Sequence, residues 1–189
     1  MHDLLEARHH LLQAGNTEDA GQVTEEACDQ LHTWGAWDQE ASLMYDTLAR
    51  LPTDSPRRAA WIHQLGILAQ DRGDYDEAAR QYQRALDISE RLGNQASIAT
   101  SFSQLGDLEV ERGGSLAAAV TWHVRALVIR LRLGVPQARN NLRRLAAYRR
   151  ELGTEPFTGL LTQAADGTDL AETITSLLGQ LGKTDDSTA

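Results

Sequence analysis

Apolar residues recur at helical spacing along most of the chain, and glycine-centred breaks interrupt them. Leu65 and Leu68 run up to Gly73-Asp74; Leu86 and Ile88 run up to Gly93-Asn94. A glycine at such a break supplies the positive φ that ends a helix cheaply, so each apolar run reads as one helix closed by one turn. The pattern predicts helices near 3–14, 17–33, 38–51, 57–72, 75–92, 95–112, 115–133, 136–152, 155–165 and 168–181. Pro52 and Pro56 separate the third from the fourth. The tail 183–189 is polar and is expected to be disordered.

The helices come in repeating pairs. Gln64-Leu65-Gly66, Leu68 and Arg72-Gly73 return forty residues later as Gln104-Leu105-Gly106, Leu108 and Arg112-Gly113. After one extra residue in the second turn, Ala78-Ala79 is matched by Ala119-Val120. Then Arg84-Ala85-Leu86, Ile88 and Arg91-Leu92-Gly93 return as Arg125-Ala126-Leu127, Ile129 and Arg132-Leu133-Gly134. Order and spacing agree across two whole units, which marks a repeat architecture. Weaker echoes lie upstream (Gly35-Ala36-Trp37-Asp38, Glu40-Ala41, Tyr45) and downstream (Leu142, Leu145, Ala146, Gly153). Ala78 and Ala85 let the second helix of a pair approach the first closely.

These residues resemble the tetratricopeptide repeat, in which a large apolar residue precedes Leu-Gly and a later Ala precedes an aromatic by four positions. Ile62-x2-Leu65-Gly66 with Ala78-x3-Tyr82 fits that pattern. Phe102-x2-Leu105-Gly106 with Ala119-x3-His123 departs from it, because histidine replaces the aromatic and Trp122 sits beside it. The units run to 40 or 41 residues, and the proline that usually closes the second helix is missing at Glu90 and Arg130. In this respect they are similar to the lengthened repeats of kinesin light chain and of bacterial signalling proteins. The resemblance is clearest over 57–153 and implies an all-α fold, a right-handed superhelical stack of antiparallel helix pairs over 1–182, with 155–181 as C-terminal capping helices.

In such stacks the first helix of each pair lines the concave side. Mapped by the family pattern, the outward positions are Glu25, Asp29 and His32; His63, Ile67, Gln70 and Asp71; Ser103, Asp107, Val110 and Glu111; and Asn140, Arg143 and Arg150. Acidic residues dominate the earlier units and arginines the last. An extended peptide with a basic portion and an acidic end is the expected occupant. Repeat proteins that grip the terminal carboxylate of chaperones resemble one another in a clamp of Lys, Asn and Arg. The corresponding positions here are mainly acidic or neutral until the last unit, which disfavours that ligand class.

Charge and composition narrow the partner. A net charge of -9 opposes general affinity for nucleic acid or anionic lipid, and no run of apolar residues is long enough to span a membrane. A single cysteine, Cys28, excludes an internal disulfide framework, and the start MHDLLEARHH has no signal-peptide core. A cytoplasmic setting is expected. Lys183 is the only lysine, which suggests a GC-rich bacterial coding bias.

Motifs for chemistry fail one by one. Cys28 and His32 are only two ligands, and His9-His10 point about 100° apart on a helix. Gly179-Gln-Leu-Gly182-Lys183-Thr184 lacks the first glycine and the preceding strand of a phosphate loop, and the acidic turn 71–77 lacks a calcium loop's length. No catalytic residue, metal or cofactor is expected. The sequence therefore points to a non-enzymatic protein- or peptide-binding adaptor or scaffold. Two alternatives stay open: a sensor domain derived from a larger signalling ATPase, and a small-molecule binder. The few leucines of the N-terminal end (Leu4, Leu5, Leu11, Leu12) suggest a homodimer through that end.

Overall fold

The local chemistry of the turns sets the architecture. At Gly73 (φ +76°) the Gly73 N–H donates to the Gln70 carbonyl at 2.9 Å and the Asp74 N–H reaches back to the Ala69 carbonyl at 2.9 Å, closing one helix. Asp74 then accepts from the Glu77 N–H at 3.1 Å and so opens the next. Asn94, after Gly93, does the same: its N–H bonds the Ser89 carbonyl and its side chain accepts from Ser97 N–H at 3.2 Å. One glycine and one small polar residue thus end a helix and start another within two positions.

The extra residue of the second long repeat sits in this device. Gly114 donates to the Glu109 carbonyl at 2.7 Å, and a Cβ there would lie 2.9 Å from that same oxygen, so the inserted residue has to be glycine. Ser115 takes over as the cap of the following helix.

The computed structural model describes residues 1–165 and 168–186. Ten α-helices are found among them: α1 His2–Gln13, α2 Thr17–Thr33, α3 Trp37–Arg50, α4 Pro56–Asp71, α5 Tyr75–Arg91, α6 Gln95–Glu111, α7 Leu116–Leu133, α8 Ala138–Leu152, α9 Thr154–Ala164 and α10 Thr168–Asp186. The predicted helices fall on these within two residues, apart from the end of α10. Of the tail expected to be disordered, 187–189 lie outside the described residues. No strand occurs among the described residues.

The chain divides into two compact units, Met1–Ile88 and Ser89–Ala189. The core of the first is built from Cys28, Met44, Leu48, Trp61, Ile62, Leu65, Leu68 and Ile88. Its α1 buries no residue fully and is tied down by a polar bridge instead. Arg8 donates through Nε to Thr24 Oγ1 at 2.9 Å and through Nη2 to Thr47 Oγ1 and to Asp46, whose carboxyl it holds below the usual range. The second unit's core runs from Val120, Val124 and Leu127 on α7 through Leu142 and Leu145 on α8 to Phe157, Leu161, Ile174 and Leu178 on α9 and α10.

The Leu-Gly pair of each repeat has a steric explanation. A Cβ on Gly66 would sit 2.6 Å from the Tyr82 ring, and one on Gly106 would sit 2.8 Å from the His123 ring. Each glycine is a seat for the large side chain that crosses from the second helix of its pair, where buried Ala78 and Ala119 keep the backbones close.

Candidate functional site

In the first unit, Glu25 and Asp29 are exposed on α2. His32 lies between two carboxylates, its Nδ1 3.2 Å from Glu40 Oε2 and its Nε2 3.6 Å from Asp71 Oδ2. Burial raises the Glu40 carboxyl above its ordinary range, with the His32 charge and hydrogen bond opposing that rise. Cys28 is buried nearby, and its thiol is pushed up to about 12, by burial first and then by the Glu40 and Asp29 charges. A thiol so held is inert packing. Among the described residues no group of three or more His, Cys, Asp or Glu is placed to hold a metal ion.

On α4, His63 and Ile67 are half-buried. The His63 ring packs 5.1 Å from that of Tyr82, and burial pushes its imidazole below the ordinary value. Gln70 turns inward: its Oε1 accepts from the Tyr82 hydroxyl at 2.6 Å.

The second unit holds a cleft of about 530 Å³, lined by Ser103, Gln104 and Asp107 of α6, His123 and Arg130 of α7, and Asn140, Asn141, Arg143, Arg144 and Ala147 of α8. Four of the expected residues meet there: Ser103, Asp107, Asn140 and Arg143. Val110 and Glu111 are exposed further along α6 and Arg150 is exposed on α8, outside the cleft lining.

Buried Asn141 is the hub. Arg130 Nη1 donates to its Oδ1 at 2.6 Å, while its Nδ2 faces Ser103 Oγ at 3.0 Å and His123 Nδ1 at 3.1 Å. A guanidinium can only donate, so the atom facing Arg130 must be the amide oxygen. The amide nitrogen then donates to His123 Nδ1, which must accept, and the network assigns the ring proton to Nε2. Nε2 points at Asp107 Oδ1 across 3.5 Å, beyond hydrogen-bond reach. Asp107 Oδ1 also lies 2.9 Å from Arg144 Nε, an ion pair without hydrogen-bond alignment. These are two of three buried side-chain polar atoms without a hydrogen-bond partner among the described residues.

Burial lowers the Arg130 guanidinium, and the Asp107 charge pulls it back. Burial, then Asp107, pushes the nearby Tyr148 hydroxyl up to about 12. Among its described carboxylate and guanidinium groups, the cleft sets Arg130, Arg143 and Arg144 against Asp107. It is a cationic recess in a chain of net charge -9.

His123, Arg130, Asn141 and Arg144 were not foreseen as site residues. The available signal was His123 itself, a polar ring where the repeat pattern asks for an aromatic.

The tetratricopeptide repeat family matches residues 57–132, which spans α4 to α7. That stretch of the chain is made of tetratricopeptide repeats. Two solved structures are also similar to the chain. That of BtubC (BKLC) from P. vanneervenii aligns at TM-score 0.61 with 18% identity, over 97% of this chain and 88% of that one. Kinesin light chain TPR-like repeats of Podosopora anserina align at TM-score 0.43 and 15% identity, over 93% and 94%. No curated protein matches. The first of these likenesses shows a shared fold. Tetratricopeptide repeats generally mediate contacts with proteins or peptides, and the fold is typically a non-catalytic scaffold. Among the described residues no helix is long and apolar enough to cross a membrane.

Proposed function

We propose that this repeat protein is a non-enzymatic adaptor or regulatory scaffold whose second unit holds an acidic stretch of a partner protein. The observation that carries the reading is the α6–α8 cleft, where Arg143 and Arg144 of α8, a first helix of the kind that presents ligands in this fold, join Arg130 of α7 opposite one aspartate. α8 extends the field, with Arg139, Arg143, Arg144, Arg149 and Arg150 against Glu151. Asn140, Arg143 and Arg150 would meet carboxylates, and Asp107 would orient Arg144. In the first unit, Glu25, Asp29 and Asp71, with His32 and His63, offer an acidic surface suited to a basic segment.

The test is affinity capture from an extract of the source cells, comparing wild type with Arg143→Glu plus Arg144→Glu at matched helicity. A labelled glutamate-rich peptide and its lysine-rich twin are titrated in parallel. The expected outcome is a partner lost from the variant and at least ten-fold weaker binding of the glutamate-rich peptide. Identical captures and affinities would move the interface off the cleft.

A further inference from the structure

A second recess lies in the same unit, on the other side of α7. Residues 123 and 130 face the polar cleft, and 125, 128 and 132 stand about 180° around the helix from them at 100° per residue. They line a groove of about 630 Å³ between α7 and the α9–α10 pair, floored by Val128, Leu160, Ala164 and Leu170. Among the described residues its charged lining is Arg125 and Arg132, and neither has a carboxylate within ion-pair distance there. That sets them apart from Arg8, Arg50, Arg57, Arg72, Arg80 and Arg112, each of which is paired with an acidic side chain. Arg125 is nonetheless held in place, its guanidinium 5.4 Å from the centre of the Trp122 ring and 5.9 Å from that of Phe102.

We infer that this groove docks an amphipathic helix of a partner protein, with aliphatic side chains on the Val128–Leu160 floor and acidic residues opposite Arg125 and Arg132. The lining of α7 runs from Ala117 to Arg132, about 23 Å at 1.5 Å per residue, which suits a helix of about four turns. The two arginines are seven positions apart on one face, so the partner's acids belong at the same spacing. Ala117 and Ala118 at one end leave room for close backbone approach.

The full chain is panned against a phage library of fourteen-residue peptides randomised on a helical scaffold. Enriched peptides should carry aliphatic residues three or four apart flanked by Asp or Glu. A labelled consensus peptide should bind at least ten-fold more weakly to Arg125→Glu plus Arg132→Glu, and at unchanged affinity to Arg143→Glu plus Arg144→Glu. Should the reversal variant lose helicity, Arg125→Gln plus Arg132→Gln replaces it. Overturning results are no enriched consensus, a consensus without acids, survival of binding in the groove variant, or loss in the cleft variant. A dimer in light scattering that Val128→Asp dissolves would equally overturn it, by assigning the groove to a second copy.

Discussion

Tyr82 and His123 hold equivalent places in the two units, each lying on the glycine of its own Leu-Gly pair. Around Tyr82 the neighbours are apolar or satisfied: Ile67 stands one residue past the glycine, and the hydroxyl donates to Gln70. Around His123 the apolar Ile67 position has become Asp107, Ser103 stands where the His63 ring packs on Tyr82, and Asn141 joins from the next helix. One seat is a filled core position. Its counterpart keeps buried donors and acceptors poised at the floor of a cleft. The same backbone grammar therefore yields a filled core seat in one unit and a polar cleft in the other, and about three side chains decide which.

This contrast can be broken at its base. Gly66→Ala drives a methyl into the fully buried Tyr82 ring and should cost about 3 kcal/mol in denaturant unfolding. Gly106→Ala should cost about 2 kcal/mol, because the His123 ring borders a cleft into which it can yield. Equal, negligible losses would show that the seats carry no load.

The hub and its counterpart come next. Asn141→Ala orphans Arg130 and His123 Nδ1 together and should lose about 2 kcal/mol, whereas Tyr82→Phe removes one hydroxyl bond and should lose about 1 kcal/mol. If the order were reversed, the polar network would be ornament rather than support.

The smallest effect lies in pH. Burial depresses the His63 imidazole, so the unfolded chain takes up the proton first as pH falls. The stability of this group is complete above its ordinary value of 6.5 and declines as pH drops through the depressed value. The slope is under about 1.4 kcal/mol per pH unit, and His63→Phe should flatten it in thermal melts.

The fold could be read from the sequence because glycine and cap residues act locally: Gly73-Asp74 and Gly93-Asn94 close and open helices with no help from distant segments. The cleft was half legible. Ser103, Asp107, Asn140 and Arg143 follow from the family's facing rule, although Ser103 proved buried and bonded to Asn141. His123 and Arg130 did not follow, since they sit on a second helix and reach the cleft only through the packing of α7 against α8. Asn141 and Arg144 adjoin expected positions, and which neighbour turns inward depends on helix rotation that spacing alone does not fix.

The turns carry one more implication, and it concerns time. The hydrogen bonds that close α4 and α5 reach back no more than five residues, and the caps that open α5 and α6 reach forward only three. Each corner can lock as soon as its own residues have emerged during synthesis, with no need for later sequence. Chains built from such short-range contacts fold fast, and assembly from the N-terminus onward follows the order in which the repeats are made.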